Sequence, residues 1–159
     1  MVELVVVVGV IAGIMALIGG IMINTFKANN KTSMMQAVDE NGGWAIEKIR
    51  QYVLSNTSNT IECIDNSGWQ IKVKDAEDGS GVRCIGDVNY NLGIIKIVDE
   101  EVIKQNEVQI NCNTFGVKCE MSGEVVTGIG VSFYIFSGDT NSPGNFVDKI
   151  FNTKITLRN

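Results

Sequence analysis

An uninterrupted apolar segment, Leu4 to Ile23, dominates the start of the chain. It reads LVVVVGVIAGIMALIGGIMI, in which sixteen residues are apolar, four are glycine and none is polar. As an α-helix this segment would be about 30 Å long, which is the thickness of the hydrocarbon core of a bilayer. A core helix of a small soluble domain would carry a polar stripe instead. The sequence therefore predicts a membrane-inserting helix over residues 1–23, longer than the apolar region of a signal peptide.

The charges that flank this segment give conflicting indications of topology. Glu3 directly precedes it, and a carboxylate there must be neutralised, reach the interface or find a partner. The first basic residues, Lys27 and Lys31, follow the segment, which by the positive-inside rule would leave the rest of the chain in the cytoplasm. All four cysteines lie beyond residue 60 and indicate an oxidising compartment instead. A basic leader upstream of Met1 would reconcile the two.

The first residues, MVELVVVVGVIA, resemble the start of mature type IV pilins and type II secretion pseudopilins. In that family a prepilin peptidase removes a leader, the new N-terminal residue is methylated, and a glutamate at the fifth position precedes Leu and a β-branched apolar run. The resemblance implies that Glu3 is the glutamate of filament assembly, paired with the α-amine of a neighbouring subunit. It also implies an inner-membrane assembly platform as a partner.

The next part of the chain, residues 24–54, has the pattern of an amphipathic helix. Apolar and small residues recur there at spacings of three and four, with charged residues between them. These residues are Met35, Val38, Gly42, Ala45, Ile46, Ile49 and Val53. We therefore expect one helix from about residue 3 to about residue 54, ending in the turn-forming SNTSNT. Its weakest points are Gly19-Gly20 and Gly42-Gly43, because glycine disfavours helix interiors.

From Thr60 onward the chain is typical of antiparallel strands. Short runs such as IECI, WQIKV, IIKIV and EVQINC are separated by Gly, Asn, Asp and Ser. Apolar residues alternate most clearly in Val125–Phe136 and again in the last segment, from Phe151 to Leu157. The sequence thus predicts an α+β fold, in which a long N-terminal helix packs on an antiparallel sheet that forms a head over residues 55–159. The terminal ITLRN also resembles minor pseudopilins of the J/W type.

The four cysteines, Cys63, Cys84, Cys112 and Cys119, allow three disulfide pairings. We favour Cys63–Cys84 with Cys112–Cys119, because each pair then encloses a short, turn-rich stretch. In this interpretation Asn113–Gly116 forms a hairpin loop between the second pair. The other two pairings are Cys63–Cys112 with Cys84–Cys119, and Cys63–Cys119 with Cys84–Cys112.

The composition disfavours catalysis, metal binding and nucleic-acid binding. The chain has no histidine, which is the commonest general base and transition-metal ligand. Its net charge of −5 argues against a nucleic-acid partner. The acidic stretch Asp75–Gly79 lacks ligands that a calcium loop needs, and we interpret it as a solvated turn. We therefore expect no catalytic residues, no metal and no cofactor.

These observations together favour a structural subunit of a type IV pilus or of a type II secretion pseudopilus. We expect it to be stored in the inner membrane with its head outside and then assembled with other pilin-like subunits. The alternative is a single-pass receptor or adhesin whose β-rich head binds an external ligand. The two differ at Glu3 and at the glycines of the apolar segment, since a simple tether needs neither.

The position of Glu3 generates a first prediction. Two residues precede Glu3 where the family has four, so we expect a basic leader and two further residues upstream of Met1 in the native protein. The intact mass of the purified native protein should exceed that of Met1–Asn159 and include one methyl group. A mass equal to that of Met1–Asn159, with no upstream coding sequence, would contradict this expectation.

Overall fold

A computed structural model describes residues 2–56, 61–64, 70–73, 81–86, 93–98, 100–103, 107–139 and 145–157. One α-helix precedes eight strands, and together they form an α+β fold. The helix is α1 (Val2–Ser55), and the strands are β1 (Ile61–Ile64), β2 (Gln70–Val73), β3 (Gly81–Gly86), β4 (Gly93–Ile97), β5 (Glu100–Glu101), β6 (Gln109–Ser122), β7 (Val125–Gly138) and β8 (Phe146–Thr156).

Helix α1 is continuous through both pairs of glycines, as the sequence predicts. Its 54 residues span about 80 Å. At its C-terminal end two side chains donate hydrogen bonds to the carbonyl oxygen of Tyr52, Ser55 Oγ at 2.8 Å and Asn56 Nδ2 at 2.7 Å. These bonds satisfy a carbonyl group that the last turn leaves without an intrahelical partner. The polar SNTSNT sequence thus ends the helix where we expected.

The strands form one antiparallel sheet in the order β1-β2-β3-β4-β6-β7-β8, with β5 paired to β4. The predicted alternation in β7 holds for Val131, Phe133 and Ile135, which are buried on the helix side of the sheet, whereas Phe136, on the opposite face, is buried as well. Strands β6 and β7 are joined by a two-residue turn in which Gly123 has a φ of 69°. A positive φ at the first turn position favours glycine and matches the right-handed twist of the strands.

The sheet consists of two parts that meet between β4 and β6. We call β1–β5 the first sub-sheet and β6–β8 the second sub-sheet. Within the second sub-sheet the strands pair over 10 and 11 residue pairs. Within the described residues, one ladder pair, Gly93 with Ile110, joins the two sub-sheets.

The disulfides cross this junction, and they correct the pairing that we favoured. Cys63 is bonded to Cys119, with their Cα atoms 6.2 Å apart, and Cys84 is bonded to Cys112, with their Cα atoms 5.5 Å apart. Each bond joins the first sub-sheet to β6. Because β1 and β6 are four strand positions apart, a flat sheet would separate them by about 19 Å. The first sub-sheet is therefore curled back over β6.

The favoured pairing was wrong for a geometric reason. Cys112 and Cys119 lie on the same strand, seven residues apart, which places them roughly 20 Å from each other. Cys63 and Cys84 lie on strands that are separated by β2, so their Cα atoms are at least about 10 Å apart. Both distances exceed the ~7 Å that a disulfide can bridge.

The hairpin loop that we predicted at Asn113–Gly116 is also wrong. These residues are part of β6, where a bulge lies between Asn111 and Gly116. Within the bulge, the Asn111 side chain accepts a hydrogen bond from the backbone N–H of Asn113 at 3.0 Å. Before the bulge the buried residues of β6 have even numbers, and after it they have odd numbers. The bulge adds three residues to β6 relative to β7, and this odd number keeps the apolar side chains of both halves of β6 in the core.

Gly93 shows how one of the disulfides fits into the junction. A Cβ atom at this position would overlap Cys112 Sγ and would lie 2.8 Å from the carbonyl oxygen of Ile85. The Cys84–Cys112 bond therefore passes over a residue that has no side chain.

The disulfides between the two sub-sheets generate a second prediction. Non-reducing peptide maps should contain the Cys63–Cys119 and Cys84–Cys112 cross-links. Closing loops of this length typically stabilises a fold by about 2–4 kcal/mol. Removal of either bond by a double Cys→Ser substitution should therefore release the first sub-sheet to amide hydrogen exchange before the second, whose ladders remain intact.

The two double variants control for each other, since each retains one bond across the junction. A Cys63–Cys84 cross-link, or equal loss of protection in both sub-sheets, would contradict the prediction.

Candidate functional site

The N-terminal part of α1 exposes its whole apolar surface. All the large apolar residues from Val2 to Ile23 are between 47% and 77% exposed. This helix is long and apolar enough to cross a membrane, and no residue of its most apolar 18-residue stretch is buried. Such a surface is not stable in water, so it has to be covered by lipid or by protein. The helix could therefore anchor the chain, and the two disulfides indicate an extracytoplasmic head.

Glu3 lies in the first turn of α1, at the outer end of this apolar surface. Its position next to the helix N-terminus is favourable, because the helix dipole stabilises a negative charge there. The nearest basic side chain along the helix is Lys27, which is about 36 Å away. Within the described part of the chain, Glu3 thus has no cation in reach.

The second half of α1 seats the head. Its buried residues form a stripe along one face of the helix, mostly at the predicted spacings of three and four. We call this stripe the seat. The seat consists of Val38, Asn41, Gly42, Ala45, Ile49 and Val53. One predicted member is wrong, since Met35 is 50% exposed and Met34 packs against the core in its place. Asn41 was not predicted, because an amide side chain does not fit an apolar pattern.

Gly42 allows the helix to approach β8 closely. The ring of Phe151 occupies the space in which a side chain at position 42 would lie. Behind it, Phe151 stacks on Phe133 at 5.6 Å between ring centroids, and Phe133 stacks on Phe115 at 6.4 Å. The three rings connect the helix with β8, β7 and β6. The absent side chain of Gly42 therefore fixes how deeply the helix sits on the sheet.

Polar contacts fix the helix along the direction of its axis. Lys149 on β8 forms an ion pair with Asp39 at 2.6 Å. Asn41 donates a hydrogen bond to the Glu107 carboxylate at 3.3 Å, and Ser137 donates one to the Glu107 carbonyl oxygen at 2.8 Å. These contacts join α1 to β8 and to the segment that precedes β6, and Ser137 joins that segment to β7. The sequence alone does not show which of these polar residues contact each other, because the members of each pair are far apart along the chain.

The outer face of the β7–β8 hairpin carries a cluster of aromatic side chains. Tyr134 and Phe146 both pack against Phe136, at 5.8 Å between ring centroids. Burial, and then a hydrogen bond to the Asp148 carboxylate, raise the pKa of Tyr134 above its usual value. Ile150 pairs with Tyr134 across the strands and is 64% exposed. We call this surface the aromatic face, and it consists of Tyr134, Phe136, Phe146, Asp148 and Ile150.

A metal site does not form among the residues that the structure describes. In those ranges, no three Cys, Asp or Glu side chains come together in a group that could hold an ion. The acidic stretch Asp75–Gly79 lies outside the described residues. Trp44 is exposed on α1, with Lys48 Nζ 5.0 Å from the ring centroid.

Comparison with known proteins returned no relatives. No family model, no curated protein and no solved structure matches this chain. The geometry of the described residues therefore carries the functional argument, together with the resemblance of the N-terminal residues.

The close approach at Gly42 generates a third prediction. Gly42→Ala should lower the free energy of unfolding by about 1–3 kcal/mol, because the new methyl group displaces the Phe151 ring from its stack. Gly43→Ala is the matched control, since Gly43 is exposed and no atom lies within 4 Å of the place that a Cβ atom would occupy there. The control should raise stability by about 0.5–1 kcal/mol through helix propensity.

Chemical denaturation of the full chain in detergent micelles, followed by near-ultraviolet circular dichroism, measures both changes. Equal effects of the two substitutions would show that Phe151 does not restrict position 42.

Proposed function

We propose that this protein is a structural subunit of a filament of the type IV pilus or type II secretion pseudopilus class. The observation that carries the proposal is that α1 has two different halves on one continuous helix. The seat attaches the second half to the head, whereas the first half is apolar on all sides and has no contact with the described residues of the head. The apolar surface of such a helix can be covered by lipid before assembly and by identical helices in a bundle afterwards.

Glu3 supports assembly rather than simple anchoring. In a bundle of helices its carboxylate would move from the polar headgroup region into a dry protein interior. An unpaired carboxylate there costs several kcal/mol, so the bundle has to supply a cation. The α-amine of a neighbouring subunit would provide about 4 kcal/mol of attraction at 4 Å and an effective dielectric constant near 20. The charge would then set the position of each new subunit in the bundle.

The proposal includes partners and locations. The partners are other pilin-like subunits, a prepilin peptidase, an inner-membrane assembly platform and, before assembly, membrane lipid. The head would lie on the outer side of the inner membrane and later on an extracellular pilus or a periplasmic pseudopilus. In this proposal the chain binds no cofactor and has no enzymatic role.

The aromatic face favours a second candidate function, a membrane-tethered receptor or adhesin. Tyr134 and Ile150 are accessible beside the Asp148 carboxylate, and the surface faces away from the helix. Aromatic rings with an adjacent carboxylate suit a ligand that has both apolar and hydrogen-bonding groups. A receptor of this kind would need the helix only as an anchor.

Glu3→Ala separates the two functions and is our fourth prediction. The variant should still insert in the membrane, because it removes a charge from the edge of an apolar segment. It should be depleted from filaments, because the charge that positions each subunit in the bundle is lost. Mass spectrometry of sheared surface filaments and of the membrane fraction measures both quantities.

Glu124→Ala is the matched control, since it removes an equal charge from the exposed β6–β7 turn. The control should enter filaments normally. Glu3→Ala subunits in filaments at the wild-type ratio would favour the tethered receptor.

A further inference from the structure

Between Glu3 and Asp39, helix α1 carries only two charged residues, Lys27 and Lys31. Both are exposed, and within the described residues neither forms an ion pair. They are about one turn apart, so both ammonium groups start from the same side of the helix. The whole chain has 13 basic and 18 acidic residues, so this short stretch is positive in an acidic protein.

The two lysines lie at the height of the lipid headgroups. The apolar segment ends at Ile23, and Lys27 and Lys31 follow it by about 6 Å and about 12 Å along the helix axis. The headgroup layer on each side of a bilayer is about 5–7 Å thick. When lipid covers the apolar segment, the Lys27 side chain therefore starts within this layer. The long, flexible Lys31 side chain can reach back to it.

The described part of the head leaves the helix uncovered at this height. Thr25 and Thr32 donate hydrogen bonds to carbonyl oxygens one turn earlier in the helix, at 2.9 Å each, so their hydroxyl groups are bonded within α1. Met34 is the first residue of α1 that packs against the core of the head. It lies about 16 Å beyond Ile23, which is above the headgroup layer. Space for headgroups thus remains around the two lysines.

The charges in the second half of α1 are too far from the membrane to take part. The nearest is Asp39, which is paired with Lys149 and lies about 24 Å beyond Ile23. Exposed charges that are farther apart than the Debye length of about 8 Å at physiological salt are largely screened from each other. The remaining charged residues of α1 lie still farther out, and they are Glu40, Glu47, Lys48 and Arg50.

The side of the membrane on which the lysines lie requires an anionic partner. Basic residues are enriched on the cytoplasmic side of transmembrane helices. The two disulfides indicate that Lys27 and Lys31 lie on the outer side, together with the head. Helix α1 has no carboxylate within two turns of either lysine. The negative groups that a membrane itself supplies at this height are the phosphates of anionic lipids.

We propose that Lys27 and Lys31 bind the phosphate groups of anionic phospholipids in the outer leaflet of the inner membrane. Glu3 and the two lysines lie at opposite ends of the apolar segment, so the bound lipids fix how deeply the helix sits in the bilayer before assembly. The typical attraction of a basic residue to an anionic membrane surface corresponds to about a fivefold preference for each lysine. The inference needs only a membrane-anchored helix, which both candidate functions share.

Fluorescence quenching by brominated lipids tests this contact in the full chain. Ile23→Trp places a reporter one turn before Lys27, in bilayers of phosphatidylcholine and phosphatidylglycerol of which one is brominated. The chain without this substitution gives the background from its native tryptophans. Brominated phosphatidylglycerol should quench the reporter about fivefold or more better, per lipid, than brominated phosphatidylcholine. Lys27→Gln with Lys31→Gln should abolish the preference.

Lys48→Gln with Lys118→Gln is the matched control, because it removes two positive charges from the second half of α1 and from β6. The control should retain the preference. Sodium phosphate should displace no more phosphatidylglycerol than sodium chloride at equal ionic strength, since the ligand is the lipid and not free phosphate. Equal quenching by both lipids, a preference that survives the loss of both lysines, or a preference lost in the control would overturn the proposal. Absence of quenching by either lipid would also contradict the membrane-anchored helix.

Discussion

One helix has to satisfy two different environments, and the remaining structure depends on this constraint. The first half of α1 offers apolar side chains in all directions, which only lipid or other apolar helices can cover. The second half offers a stripe to the sheet and charges to solvent. Because the backbone is continuous between them, the position of the head is fixed with respect to Glu3 and to the apolar surface. Any assembly of the first halves therefore also arranges the heads.

The two sub-sheets of the head differ in the length of their strands and ladders. The second sub-sheet has long ladders and provides most of the surface on which α1 sits, including Phe133 and Phe151. Among the residues that the structure describes, the first sub-sheet has short strands and one ladder pair with the second, and the two disulfides add covalent connections between them. Both bonds end on β6. The disulfides thus fasten the part with shorter strands to the part with longer ladders.

Periodicity in the sequence predicted the helix, the main strands and most of the seat, because these features depend on neighbouring residues. Features that depend on distant residues were missed. A correct prediction of the disulfides would have required the order of the strands. The residues that looked like a hairpin loop after Asn111 form a bulge within a continuous strand. Strand β3 has only two aliphatic side chains, Val82 and Ile85, between its terminal glycines, which is too short a pattern to recognise. The Asp39–Lys149 pair spans 110 residues, and only the fold brings its members together.

The seat also determines which kind of assembly is open to the chain. If two copies met through the same face of α1, their contact would be closed by a two-fold axis, and growth would stop at a dimer. The head covers one face of the second half of the helix, so that face is unavailable to a parallel neighbour at the same level. A neighbour can approach the uncovered face, or it can approach below the head after an axial shift. A contact between the uncovered face of one copy and the part below the head of the next would join unlike surfaces, and repetition of such a contact produces a filament.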